Sequence, residues 1–98
     1  MSEKKHTPGE WFTHREGHST VYVECRIGGG LIQAVAACRP TAAGREQQEA
    51  NARLIAAAPE LLEALQEIAD CGAEAWGEDR PCVRIARAAI AKATGGQP

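Results

Sequence analysis

Arg80, Arg84 and Arg87 stand four and three residues apart. On a helix that spacing makes one stripe. A row of guanidiniums suits a phosphate, because each can give bidentate hydrogen bonds. The same stripe equally suits a solvated face, or ion pairs with acidic helices. Asn51 and Arg53 interrupt a segment rich in Ala, Leu and Glu. The asparagine amide both donates and accepts, which fits a base edge or a ribose. It also fits a hydrogen bond to a strand edge or helix end. Trp11, Phe12, Tyr22 and Trp76 are the only aromatic residues. Each can anchor a core or an interface, and Trp11 is the first choice for stacking a purine.

Other groupings fall short of a reaction centre. His14 and His18 have a spacing found in zinc sites, but they lie in an expected turn with no cysteine pair nearby. Cys25, Cys38, Cys71 and Cys82 form no C-x-x-C pair, so ordinary buried thiols in a reducing compartment are expected. The run Gly28-Gly29-Gly30 is followed by a strand-like segment and by no Lys-Ser or Lys-Thr. It reads as a hairpin turn and matches no phosphate-binding loop. The two aspartates, Asp70 and Asp79, fall at expected helix ends, and Ser19 beside His18 is not a nucleophile elbow. No catalytic residue, metal or cofactor is expected, and the chain reads as a non-enzyme.

The elements that must hold these groups come from pattern. Of the 98 residues, 44% are hydrophobic and 24% charged, which fits one globular domain spanning residues 1–98. The formal net charge of −2 argues against a general nucleic-acid coat. No apolar run approaches the roughly 20 residues of a membrane span, and residues 1–10 do not read as an export signal. Pro8-Gly9 marks a turn, and Trp11–Arg15 reads as a strand. In Thr20–Ile27, Val21, Val23, Cys25 and Ile27 alternate with Tyr22, Glu24 and Arg26, the period of a half-buried strand. Leu31–Arg39 returns as a third strand, closed by Pro40. Helices are expected over Glu46–Ala58, Pro59–Asp70 and Pro81–Thr94, with Gly72 stopping the second and a loop over Ala73–Arg80. The fold class is α+β: an antiparallel three-stranded sheet over 11–39 packed by two to three helices within 46–94. Loose ends are expected at 1–10 and 95–98. Charge is uneven. Residues 41–77 carry two basic and seven acidic side chains, while 78–98 carry four and two.

Two stretches resemble a known group. His6-Thr7-Pro8-Gly9-Glu10-Trp11 is similar to the HTPGxW opening of a large set of short phage and prophage proteins. The stretch from Glu49 to Leu65, with Ala50-Asn51-Ala52-Arg53-Leu54-Ile55-Ala56-Ala57-Ala58-Pro59-Glu60-Leu61-Leu62-Glu63-Ala64-Leu65, is similar to their helix–Pro–helix. The order of sheet and helices also resembles the Thoeris anti-defence sponges. That resemblance implies a protein of the host cytoplasm that holds a nucleotide immune signal, such as a cyclic ADP-ribose variant or cyclic oligonucleotide, without cleaving it. It implies a homo-oligomer, dimer or higher, with pockets between subunits. Such a protein needs arginines for phosphates, an amide for base or sugar and an aromatic platform. Arg26, Arg39, Asn51, Arg53 and Trp11 supply these if the first helix packs near the sheet.

Two other classes stay open. One is an accessory protein that inhibits a host or defence protein through its acidic helices. The other is a DNA-binding factor using Arg80, Arg84 and Arg87, which the net charge disfavours.

Overall fold

A computed structural model describes residues 5–96. Three strands, β1 (Trp11–Glu16), β2 (Thr20–Arg26) and β3 (Ile32–Cys38), form an antiparallel sheet in the order β1-β2-β3. A single 3-10 turn at Gly28–Gly30 joins β2 to β3. Three helices follow: α1 (Arg45–Ala56), α2 (Ala58–Trp76) and α3 (Pro81–Thr94). This is the α+β arrangement that the alternation and helix signals predict. The chain divides into two compact units, one ending at Pro59 and one beginning at Glu60. Residues 1–4 and 97–98, part of the expected loose ends, lie outside the described residues.

In the first unit, Val21, Val23 and Cys25 point to one face of β2 and are buried. Ala52 and Ala56 of α1 close over Val21 and Val23, with Trp11, Ala36 and Ile55 packed at the margin. These side chains are small, so helix and sheet approach closely. Val23 is completely buried, which stabilises by about 2 kcal/mol relative to exposure. Val23 opposes Ala36 and Glu24 opposes Ala34, so Val35 is an extra residue in β3. That bulge brings Val35 against the core cluster.

The helix is also tied down by polar groups. Gln48 of α1 is buried. Its amide Nε2 donates to the Ser19 carbonyl at 2.9 Å and the Cys38 carbonyl at 2.8 Å. One side chain thus binds the β1–β2 turn and the end of β3 to the helix. Arg15 Nη2 donates to Gln48 Oε1 at 3.2 Å and to Glu49 Oε2 at 2.8 Å. The Arg15 hydrogen bond holds the Glu49 carboxyl below the usual carboxylate range.

The HTPGxW stretch folds back on itself. The Trp11 indole N–H donates to the Thr7 carbonyl at 3.0 Å. The His6 ring stands edge-on to the indole at 6.0 Å. Gly9 has φ +95 and approaches the Arg26 carbonyl, so a side chain there would be strained.

The second unit holds α3 and all but the first two residues of α2. Gly72 does not stop α2, which runs on to Trp76 and takes up the first half of the expected loop. Gly72 is buried against Val83 of α3, whose Cγ2 lies only 3.0 Å from where a Cβ would stand. Ala69 and Ala86 are buried beside them. Arg87 donates to Asp70 at 2.8 Å and to Glu78 at 3.0 Å and 3.2 Å. Asp70 therefore lies level with Arg87, and Gly72 with Val83, as in an antiparallel αα-hairpin.

Candidate functional site

The alternation that buries Val21, Val23 and Cys25 turns Tyr22, Glu24 and Arg26 to the opposite face of the sheet. The register places Phe12 opposite Glu24 and His14 opposite Tyr22. It places Ala37, Ala34 and Ile32 on the other side of the same three residues. No element of the first unit covers this face, because α1 packs on the other one. His14, Arg26, Ile32, Ala34 and Ala37 are exposed, while Phe12, Tyr22 and Glu24 are half-buried.

The groups on this face are complementary in chemistry. The Arg26 guanidinium carbon lies 5.3 Å from the centroid of the Phe12 ring, a cation–π geometry. Phe12 and Tyr22 are diagonal neighbours on adjacent strands, roughly 7–8 Å apart, within reach of one another for aromatic side chains. Glu24, directly opposite Phe12 and between Tyr22 and Arg26 along β2, offers a carboxylate acceptor. His14 Nε2 lies 3.2 Å from Glu16 Oε2 at the far end of β1. Together these make an open platform with a flat apolar floor, a cation at one end and an acceptor in the middle. Such a surface can stack a planar ring and bind an attached anion.

The five residues singled out from sequence are spread over several surfaces. Arg26 lies on the platform. Trp11 is on the other side of β1, half-buried against the core. Arg39 is exposed just beyond β3. Asn51 and Arg53 are both exposed on α1, but two residues along a helix rotate by about 200°, so they occupy opposite flanks. No hydrogen bond, ion pair or ring contact joins any two of the five among the described residues. Phe12, Tyr22 and Glu24 were the residues missed as a group. The alternation of β2 already placed Tyr22, Glu24 and Arg26 together, but adding Phe12 required the strand register.

The arginine stripe divides as well. Arg87 is engaged by Asp70 and Glu78, which raises its already high pKa further. Arg80 and Arg84 are exposed and have no side-chain partner among the described residues. His14 and His18 are both exposed, and no three His, Cys, Asp or Glu side chains converge as a metal site among the described residues. All four cysteines are free, but only Cys25 is buried as expected; Cys38 is half-buried, and Cys71 and Cys82, on the helical hairpin, are exposed. No helix among the described residues is long and apolar enough to cross a membrane.

No curated protein and no solved structure matches the chain. A family model described as Salmonella phage P22 protein Y8K6 matches residues 1–97, nearly the whole length. The chain belongs to that phage protein family.

Proposed function

We propose that this phage protein binds and sequesters a nucleotide immune signal, a cyclic ADP-ribose variant or cyclic oligonucleotide, without cleaving it. It acts in the host cytoplasm as a homo-oligomer, a counter-defence role. The observation that carries this reading is the uncovered sheet face on which Arg26 stacks over Phe12 beside Tyr22 and Glu24. Phe12 and Tyr22 carry the base, Arg26 binds phosphate and Glu24 accepts from a ribose hydroxyl or base amine. Arg39, Asn51 and Arg53 contribute across a subunit boundary, and Trp11 supports β1 from beneath.

The test is ligand capture. The purified protein is incubated with cyclic ADP-ribose isomers and cyclic di- and trinucleotides, stripped of free ligand by gel filtration, and denatured. An intact nucleotide recovered in stoichiometric amount is expected. Arg26→Ala should weaken its binding by about 10- to 100-fold, the loss of a charge-assisted contact. A chemically converted nucleotide would make the protein an enzyme, and no retained nucleotide would overturn the reading.

A second reading rests on α2. Glu60, Glu67 and Glu74 recur every seven residues, exposed and without a side-chain partner among the described residues. That acidic row suits a basic patch on a host or defence protein, which the phage protein would inhibit by blocking it. Salt-sensitive capture of such a protein, abolished by Glu67→Lys and unaffected by Arg26→Ala, would favour this reading over the first.

A further inference from the structure

The α2–α3 hairpin hides little of its own apolar surface. Its buried residues are Ala69, Gly72, Val83 and Ala86, of which only Val83 has a sizeable side chain. Leu61 is 52% exposed, Ile68 65% and Ile85 71%. A helical pair with so small a core needs a further surface to cover it.

The exposed residues share one side of the hairpin. On α2, Ala69 and Gly72 face α3, and Asp70 is turned toward the Arg87 ion pair. At about 100° per residue, Leu61 and Ile68 fall on the opposite flank from Asp70. On α3, Val83 and Ala86 face α2, and Ile85 with Cys82 and Ala89 falls on the flank opposite Arg84 and Arg87. In an antiparallel pair these two flanks look the same way. The hairpin therefore has an ion-paired side, with Asp70, Arg87 and Glu78, and an apolar side, with Leu61, Ile68 and Ile85.

We infer that the apolar side of the hairpin docks on the same side of a second copy of this chain, forming a four-helix bundle. Charge selects both the occupant and its orientation. The outer edge of α2 carries Glu60, Glu67 and Glu74, and the outer edge of α3 beside the apolar flank carries Lys92. All four are exposed and lack side-chain partners among the described residues. A two-fold axis parallel to the helices lays α2 of each copy over α3 of the other. By symmetry the acidic edge then meets a Lys92 side chain twice. Because Asp70 is level with Arg87 and Gly72 with Val83, the axis sets Lys92 within about one turn of Glu67 of the second copy. An axis across the helices would instead stack the acidic rows on one another. The 14 residues of α3 extend about 21 Å, and two helices side by side are about 20 Å across. The projected face is thus on the order of 400 Å². Its side-chain relief adds accessible area, bringing each copy's share toward the about 800 Å² of a stable interface.

This inference concerns the second unit and does not depend on a nucleotide being bound. Light scattering after gel filtration of the full chain, with reductant to exclude disulfide dimers through Cys71 or Cys82, should give twice the 10.4 kDa chain mass. Ile85→Glu should give a monomer with unchanged helical circular dichroism. Should Ile85→Glu unfold, the charge variants decide. Lys92→Glu should raise the dimer dissociation constant about threefold, and Glu67→Lys with Lys92→Glu should restore it. A monomeric wild type at tens of micromolar overturns the inference. So does a folded Ile85→Glu that remains dimeric, or a double charge variant no tighter than Lys92→Glu alone. Nucleotide capture by the monomeric variants reads the ligand proposal separately.

Discussion

Replacing Gln48 by Met tests how α1 is held to the sheet. The side chain is 2% exposed, and its amide donates at 2.9 Å and 2.8 Å to the carbonyls of Ser19 and Cys38. Methionine keeps the length and most of the volume but has no donor. Two carbonyls then lose their partner, and the Arg15 guanidinium loses an acceptor. An unsatisfied buried group costs about 1–3 kcal/mol. Water reaching one carbonyl reduces the sum, so the expected loss is about 2–4 kcal/mol. The total stability of such a unit is about 5–10 kcal/mol, so much of it would go. In a Trp76→Phe background, Trp11 fluorescence reports the first unit alone during urea unfolding. With a slope of about 1 kcal/mol per M, the midpoint should fall by about 2–4 M at unchanged slope. Gln47→Met, at the exposed neighbouring position, should leave it unmoved. A Gln48→Met midpoint within about 0.5 M of wild type would refute the claim that these two bonds fasten the helix.

Two further outcomes follow from the polar contacts and the tight helix crossing. Arg15 holds the Glu49 carboxyl below its ordinary value of 4.5, so its contribution to stability is full above that value and is lost as pH falls through the depressed one. Urea midpoints measured from pH 6 downward should therefore decline less steeply in Glu49→Gln than in wild type, and equal slopes would remove Glu49 as a cause. Gly72→Leu forces side-chain atoms into Val83, whose Cγ2 is 3.0 Å from the Cβ position. It should cost about 1–3 kcal/mol in helical melting by circular dichroism, and an unchanged transition would show that the two helices need not meet there.

Local chemistry made some elements legible and left others hidden. The alternation over Thr20–Ile27 placed β2 and its buried residues because one face of a strand must be apolar when only that face is covered. Pro81 and Gly95 bracket α3 at the bounds the sequence predicts, since neither punctuation needs a distant partner. Gly72 shows the opposite case. Read locally, a glycine near a helix end is a stop signal. Here it is interior, chosen by the approach of Val83 from eleven residues away. The candidate site was legible in the same partial way. Arg26 lies on the platform because alternation puts it there. Asn51 and Arg53 were chosen by residue type, and helical rotation sends them to opposite flanks. Arg15, Gln48 and Glu49 meet only when α1 lies across the turn end of the sheet.

The placement of the aromatic residues bears on what the surfaces are for. Phe, Tyr and Trp bury more apolar area than any other side chain and usually dominate a small core. This chain has four of them, and none is among its fully buried residues. The core is instead built of Val21, Val23, Cys25, Ala52 and Ala56. Trp11 sits at its margin, Phe12 and Tyr22 lie on the open sheet face, and Trp76 is 63% exposed. A fold selected only for its own stability would exchange some of these alanines for the larger rings. Rings kept on the open face while the core is filled with alanine are better explained by contacts that the chain alone does not make. The proposed ligand platform at Arg26 and Phe12 and the proposed dimer face at Leu61, Ile68 and Ile85 belong to different units. Each should therefore fail independently, Arg26→Ala in ligand capture and Ile85→Glu in assembly.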